Sequence, residues 1–226
     1  MKLESVEIGE ILCIQMHSTL KAFELYVKII DKDDSFLYFD PVMVNGRMLD
    51  FSITERKNCC DVFLGKGKRI YCFKNIVIDD VKNNGIPMHH RIFTGYEGLV
   101  LNSKEYPKHI VNVPCAYNRG SHKGITEGLV RDVSSNGITV ITDGLLEVGQ
   151  EPVITLDFPE NYIFNGLVVQ KCRVVRVVDS EIDNKDYHEY KSKKLVDLEV
   201  INETRQYQDL VQCLEREKLR RLRGTS

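Results

Sequence analysis

Hydrophobic and polar residues alternate along most of the chain. In the segment KAFELYVKII, every second residue from Phe23 to Ile29 is apolar, so these side chains share one face of an extended backbone. The same period of two recurs in the segments VEIGEILCI, FLYFDPVMV, CCDVFLGKG, KRIYCFKNIVI, HIVNVPCAY, ITEGLVRDV, GITVIT, EPVITLDF, LVVQKCRVVRVV and KLVDLEVI. Gly, Asn, Asp or Pro residues punctuate these segments. The pattern predicts an all-β protein built from barrels or sandwiches.

One segment departs from this period. NETRQYQDLVQCLEREKLRRLR, at the C-terminus, places Leu210, Cys213 and Leu214 at helical spacing. We expect a helix with Asn202 as its N-cap and Glu203 in its first turn. Its basic end complements the helix dipole, so it does not by itself indicate a surface for nucleic acid.

The length and net charge of the chain limit the classes of protein to which it can belong. The chain has 226 residues, which suffices for two small domains, and we place a boundary in residues 95–102. Its formal net charge of −2 argues against a protein that coats DNA or RNA. No apolar run is long enough to span a membrane, and the acidic start MKLESVEIGE is unlike a signal peptide. We expect a cytoplasmic protein that does not span the membrane.

Cysteines and histidines give no sign of a metal centre or an active site. The chain has 7 cysteines, an odd number, without a C-x-x-C pair, so we expect reduced, mostly buried thiols. Cys59 and Cys60 are expected in a strand, whereas His89 and His90 are expected in a loop, pointing in opposite directions. Common catalytic and nucleotide-loop motifs are absent from the sequence, so we expect neither an enzyme nor a cofactor.

The segment LVRDVSSNGITVIT contains a D-x-S-x-x-G pattern formed by Asp132, Ser134 and Gly137. A carboxylate accepts hydrogen bonds from N1–H and N2–H of guanine, and a glycine lets a ligand approach the backbone. The alternative is a purely structural turn between two strands, with Gly137 at positive φ. Both interpretations stay open at the level of this motif.

The order of motifs resembles the PilZ family, whose members bind the bacterial second messenger cyclic di-GMP. Such domains carry a basic R-x-x-x-R element before their first strand, then D-x-S-x-x-G, further strands of a small barrel and a closing helix. Here SKEYPKHIVNVPCAY precedes LVRDVSSNG, and LVDLEVI leads into the C-terminal helix. The preceding part, with YFDP-x-x-x-x-G, resembles the N-terminal barrel of flagellar brake proteins of the YcgR type. The resemblance implies an N-terminal YcgR-like barrel at 1–98 and a PilZ barrel with its helix at 99–226.

The basic element departs from the family pattern. Lys104 and Lys108 stand where the family has two arginines, so charge is kept while the planar, bidentate guanidinium is lost. The loop NRGSHK offers a second basic pair, Arg119 and Lys123, but it follows the strand VNVPCAY and is close to Asp132. We therefore assign Lys104 and Lys108 to the element and keep Arg119 and Lys123 as additional candidates.

The resemblance implies a non-enzymatic receptor in which Lys104 and Lys108 hold the phosphates of cyclic di-GMP while Asp132, Ser134 and Gly137 hold a guanine. Binding would change the arrangement of the two barrels and regulate a partner, by resemblance a flagellar motor or stator protein, to slow swimming. The alternative is a degenerate PilZ protein that does not bind the nucleotide and acts as a protein-interaction module. A third interpretation, an oligonucleotide-binding barrel, conflicts with the net charge, and no DNA or RNA partner is expected.

Overall fold

The computed structural model describes residues 1–17, 22–44, 47–51, 59–67, 69–101, 108–118, 124–160, 162–179 and 194–224. Strands dominate, and one α-helix closes the chain. The elements are a short 3-10 helix at Leu3–Ser5, β1 Ile11–His17, β2 Ala22–Lys32, β3 Phe36–Phe39, β4 Met43–Val44, β5 Arg47–Met48, β6 Cys59–Lys66, β7 Arg69–Asn83, β8 Ile86–Phe93, β9 Leu99–Val100, β10 His109–Asn118, β11 Ile125–Val133, β12 Gly137–Thr142, β13 Val153–Phe158, β14 Gly166–Asp179, β15 Lys194–Val200 and α1 Arg205–Leu222.

The chain forms two compact units. The first comprises Met1–His17, Phe23–Glu105 and Lys218–Ser226, and the second comprises Ser18–Ala22 and Tyr106–Glu217. These ranges differ from the expected boundary between residues 98 and 99. One reason is that β9 pairs with β7 and so belongs to the first unit, and another is that the last residues of α1 are grouped with that unit.

The first unit is a barrel of six strands. Its strand order is β6-β1-β2-β3-β8-β7, and pairing of β6 with β7 closes the ring, while β9 adds to β7. Alternating residues of these strands fill its core, which includes Leu12, Ile29, Phe39 and Phe73. The predicted barrel is therefore confirmed, with β4 and β5 as a separate two-stranded ribbon.

The second unit is a closed barrel with the order β10-β11-β12-β15-β14-β13. Alternation of inward and outward residues builds most of its core, as in the first part of β14, where Val168, Cys172 and Val174 point inward. Residues Tyr207 and Leu210 of α1 join that core. The tandem barrels with a C-terminal helix agree with the predicted fold class.

Two local predictions are wrong. The helix begins at Arg205 with Thr204 as its cap, since Thr204 Oγ1 accepts a hydrogen bond of 3.3 Å from the N–H of Tyr207. Asn202 instead has a left-handed backbone, with φ of 51°. His89 and His90 lie in β8 rather than in a loop, although they do differ in burial as opposite-facing neighbours should.

The cysteines are mostly buried, as predicted. Cys59 and Cys60 lie in strand β6, and the cysteines at positions 13, 60, 72, 115, 172 and 213 are free thiols. Burial raises the pKa of Cys115 and of Cys172 to about 12. Among the described residues, no group of three or more His, Cys, Asp or Glu side chains is arranged to hold a metal ion. In the same part of the chain, no helix has the length and apolar character needed to cross a membrane.

Candidate functional site

Four polar residues form one row across neighbouring strands of the second unit. Asp132 on β11 stands opposite Thr139 on β12, Thr139 stands opposite Asp197 on β15, and Asp197 stands opposite Arg176 on β14. The neighbours of Asp197 along β15 are core residues, so the row lies on the outer face of the barrel. We call these four residues the polar row.

Irregularities in strand pairing occur at both ends of the polar row. The register shifts between Val130 and Asp132 where β11 pairs with β12, and between Val174 and Arg176 where β14 pairs with β15. A bulge inserts an extra residue and changes the direction of nearby side chains. Arg131 is the extra residue on β11, and its side chain is largely buried beside Asp132.

Asp132 is a buried carboxylate with a cation on each oxygen. Its side chain is 1% exposed. Nε of Arg131 donates a hydrogen bond of 2.7 Å to Oδ2, and Nζ of Lys108 lies 3.2 Å from Oδ1. Removing a carboxylate from water is costly unless such partners compensate for the lost hydration, so the two cations explain how Asp132 is tolerated in a buried position.

Lys108 precedes β10 and reaches across the polar row. Its Nζ donates a hydrogen bond of 2.9 Å to Oγ1 of Thr139 and lies 3.9 Å from Oδ1 of Asp197. Thr139 in turn donates to Asp197 over 3.1 Å. The side chain of Lys108 is 45% exposed, so its ammonium faces both the buried carboxylate and solvent.

The turn between β11 and β12 uses the other two residues of the D-x-S-x-x-G pattern. Oγ of Ser134 donates to Oδ1 of Asn136 over 3.1 Å and to the carbonyl of Gly137 over 3.2 Å. The N–H of Ser134 also donates to that carbonyl, over 2.8 Å. The serine therefore stabilises the turn that follows Asp132.

Gly137 is required by close packing rather than by its backbone angles. It is not among the glycines of the described chain that have positive φ, so the positive φ that the purely structural turn implied is not found. A Cβ at this position would lie 3.0 Å from the backbone carbonyl oxygen of Leu198 on β15. The absence of a side chain lets β12 and β15 pair at the edge of the polar row.

Tyr207 of α1 stabilises the same turn between β11 and β12. Its hydroxyl donates hydrogen bonds of 2.7 Å to the carbonyl of Ser134 and 3.1 Å to that of Gly137. Burial raises the pKa of Tyr207 far above its ordinary value, so the phenol remains a proton donor. The helix thus holds the D-x-S-x-x-G turn in place through one side chain.

The structure brings four of the predicted site residues together, namely Lys108, Asp132, Ser134 and Gly137. Lys104, Arg119 and Lys123 lie outside the described residues. The sequence interpretation missed five residues that complete this region: Arg131, Thr139, Arg176, Asp197 and Tyr207. Only Arg131 carried a local signal, since it stands next to Asp132 in sequence, whereas the others depend on cross-strand pairing.

Chemically, the polar row together with Lys108 combines hydrogen-bond acceptors with exposed cations. Asp132 and Asp197 can accept N–H groups of a ligand, and Lys108 and Arg176 can bind an anion. A ligand that carries both N–H donors and negative charge matches this arrangement. A guanine nucleotide has both.

Comparison with known proteins gives matches only among solved structures. No protein-family model matches the sequence, and no curated protein matches it. The structure is similar to that of the Bacillus subtilis inhibitor of motility MotI/DgrA, with 18% identity, a TM-score of 0.42 and coverage of 95% of this chain and 98% of that one. It is also similar to Escherichia coli YcgR in complex with c-di-GMP, with 10% identity, a TM-score of 0.40 and coverage of 96% and 89%.

A third similar structure is that of K. pneumonia MrkH in its apo state, with 10% identity, a TM-score of 0.42 and coverage of 92% of this chain and 89% of that one. YcgR contains a PilZ domain, the family that the sequence resembles.

Proposed function

We propose that this chain is a non-enzymatic receptor for cyclic di-GMP and that the polar row of the second unit is its nucleotide site. The observation that carries the proposal is the contact between Lys108 and Asp132, at 3.2 Å. It joins the basic element before β10 to the D-x-S-x-x-G turn after β11. These are the two motif elements on which the resemblance to nucleotide-binding PilZ domains depends.

Guanine binding at Asp132 is an exchange of hydrogen-bond donors. Oδ1 of Asp132 faces the ammonium of Lys108, while Oδ2 faces Arg131. When N1–H and N2–H of a guanine approach the carboxylate, Lys108 moves from it to a phosphate of the same ligand. The long, half-exposed lysine side chain has the freedom for this movement, and its charge stays paired throughout.

Arg131 stays hydrogen-bonded to Asp132 during this exchange. Its side chain is 9% exposed and bonded to Oδ2, so it holds the carboxylate in position for the ligand. Ser134 and Gly137 shape the turn beside it, and Tyr207 holds the turn on the barrel. These contacts preorganise the site before the ligand arrives.

Isothermal titration of the purified chain with cyclic di-GMP, with GTP as a control ligand, tests the proposal. We expect saturable binding that is selective over GTP. Asp132→Asn should weaken it, because an amide cannot accept both guanine N–H groups as a carboxylate does. Asp157→Asn, on β13 of the same barrel and exposed, is the matched control and should leave the affinity unchanged.

The lysines provide a second test. Replacing Lys104 and Lys108 together by arginine should strengthen binding, because arginine adds the planar guanidinium that the family uses. Equal or weaker binding in that variant would mean that the basic element is assigned to the wrong residues.

The second candidate function is a degenerate PilZ protein that acts as a protein-interaction module without the nucleotide. One observation favours it, since the carboxylate of Asp132 already has two cationic partners inside the protein. The same titration separates the two functions, because the degenerate module gives no saturable binding of cyclic di-GMP.

For the receptor we propose an effect on a partner through the arrangement of the two units. Support comes from the sequence, where Lys104 and Lys108 belong to the segment that joins them. A flagellar motor or stator component is the proposed partner, by resemblance alone. A fluorescence-transfer pair with one dye in each unit should change its efficiency on addition of cyclic di-GMP, and an unchanged signal at saturation would contradict this step.

A further inference from the structure

Arg176 lies at the β14 end of the polar row and is the most exposed of the site's charged residues. Its Nε donates a hydrogen bond of 2.7 Å to Oδ2 of Asp197, and its Nη2 lies 2.5 Å from the same oxygen. The side chain is 63% exposed. An ion pair at such an exposed position contributes little to stability, so the fold does not depend on this arginine.

Arg176 gives the described site its net positive charge. The described site contains three cations, Lys108, Arg131 and Arg176, and two carboxylates, Asp132 and Asp197. Without Arg176 the charges would balance, which is a poor match for a dinucleotide with two phosphates. With it, the site carries a net positive charge on its solvent side.

Arg176 also supplies a chemical group that the two lysines lack. Within the described site, the guanidinium of Arg131 is buried against Asp132 and Lys108 carries an ammonium. Nε and Nη2 of Arg176 contact Asp197, and the outer side of this planar guanidinium, Nη1 with the second N–H of Nη2, is the two-pronged donor that a ligand can reach on a 63% exposed side chain. A guanidinium of this kind binds O6 and N7 of guanine with two parallel hydrogen bonds.

The spacing of the row fits one purine between its two ends. Neighbouring strands lie ~4.8 Å apart, and the side chain of Arg176 reaches back to Asp197 on β15, two strands away from Asp132. This places the guanidinium ~10 Å from the β11 strand. The N1–H/N2–H edge and the O6/N7 edge are adjacent edges of guanine, so a ring that is hydrogen-bonded to Asp132 can present O6 and N7 toward β15 and the long side chain of Arg176.

We propose that Arg176 is a further ligand-contacting residue, which binds O6 and N7 of the guanine whose N1 edge is held by Asp132. This inference rests on the proposed function and assigns specificity within the same site. Adenine presents N7 as an acceptor but an N6 amino group as a donor, so an arginine at this place favours guanine. Arg176 thus compensates from β14 for the arginines missing before β10.

The experiment compares Arg176→Ala, Arg176→Lys and Arg173→Ala by titration with cyclic di-GMP and with cyclic di-AMP. Arg173 is a matched control, because it lies on the same strand, is 48% exposed and pairs with Glu151 outside the polar row. We expect Arg176→Ala to bind cyclic di-GMP roughly 10–100-fold more weakly, with a smaller preference over cyclic di-AMP. Arg176→Lys should lose most of that preference as well, because it keeps only the charge.

Two results would overturn the inference. One is an affinity for cyclic di-GMP in Arg176→Ala equal to that of Arg173→Ala. The other is an equal loss for both nucleotides, which would place the arginine on a phosphate. If the unmodified chain binds no cyclic di-GMP, the proposed function itself fails, and this outcome is distinct from the other two. Thermal unfolding of each variant confirms that the barrel remains folded.

Discussion

Nζ of Lys108 lies 3.2 Å from Oδ1 of Asp132, so the acidic residue of the D-x-S-x-x-G turn has a partner from the basic element within the same chain. This contact between Lys108 and Asp132 has two roles. It stabilises a buried carboxylate, and it holds that carboxylate ready for a ligand that brings its own N–H donors.

Asp132→Ala should destabilise the protein strongly. The substitution removes the partner of Arg131, whose side chain is largely buried, and loss of one member of a buried ion pair costs about 3–5 kcal/mol. Chemical denaturation at pH 7 measures the free energy of unfolding of the second unit. Asp157→Ala, at an exposed position of the same barrel, should change it by less than about 0.5 kcal/mol. Equal effects of the two substitutions would contradict the described role of Asp132.

Tyr207→Phe should lower stability by about 1–3 kcal/mol, since it leaves the buried carbonyl of Ser134 without the hydroxyl that donates to it. The measurement is chemical denaturation, in which the midpoint should fall while the slope of the unfolding free energy against denaturant concentration stays unchanged. Tyr38→Phe is the comparison, because the hydroxyl of Tyr38 donates to Asp33 at an exposed position. That variant should unfold almost as the parent does, and a similar loss in both would show that the bond to Ser134 is not special.

Gly137→Ala should cost about 1–3 kcal/mol, because the new Cβ would stand 3.0 Å from the carbonyl oxygen of Leu198, which belongs to the backbone of a paired strand. Gly124→Ala provides the control. A Cβ at Gly124 has no neighbouring atom within 4 Å, so this change should be nearly neutral. If Gly137→Ala unfolds like Gly124→Ala, the pairing of β12 with β15 does not need the glycine.

Much of the fold follows from the sequence because a period of two identifies a strand wherever one face is buried. The pattern fails where a buried polar residue interrupts it. His90 is fully buried in β8, so a polar residue occupies a core position. Its Nδ1 donates a hydrogen bond to Asp80, and its Nε2 accepts one from the N–H of Val42. Asn84 and Gly85, both with positive φ, join β7 to β8, and an N-G pair of this kind is a hairpin signal that the sequence carries.

The candidate site is less predictable than the fold. Lys108, Asp132, Ser134 and Gly137 belong to local motifs and were named from the sequence. Thr139, Asp197 and Arg176 join them only through pairing of strands that are distant in the chain, and the bulge before Arg176 reverses the direction that simple alternation gives its side chain. Neither the long-range register nor a bulge is visible in the residue pattern.

Stability should fall on acidification because of His90. Burial lowers the pKa of His90 below its ordinary value of about 6.5, although Asp80 acts in the opposite direction. Below pH 6.5 the unfolded chain therefore binds a proton that folded His90 excludes, so this contribution to stability is complete above pH 6.5 and is lost as the pH falls toward the folded pKa. Protonation also removes the acceptor for the N–H of Val42.

His90→Gln isolates this contribution, because glutamine does not titrate. The free energy of unfolding should decrease more between pH 7.5 and pH 5.5 in the parent than in the variant. Burial and Asp50 raise the pKa of Asp80, which gives a contribution of opposite sign, so the difference between the two proteins is the relevant quantity. Parallel pH profiles would contradict the assignment to His90.

The buried cysteines should resist alkylation in the folded protein. Burial raises the pKa of Cys13, Cys115 and Cys172 to about 12 and that of Cys72 to about 11. At pH 8 a thiol with a pKa of about 12 is a thiolate roughly once in 10⁴ molecules, and the thiolate is the reactive form. Iodoacetamide followed by peptide mass spectrometry should label Cys213, which is half-buried, before these four. Labelling in denaturant is the control for reactivity of each peptide.

The most direct test of the central claim is the equilibrium titration of the purified chain with cyclic di-GMP, beside GTP and beside the Asp132→Asn variant. The account predicts saturable binding at micromolar or lower concentration, selective over GTP and weakened in the variant. Absence of saturable binding in a protein that thermal unfolding shows to be folded would contradict it, and Lys108 and Asp132 would then be a structural ion pair of an interaction module.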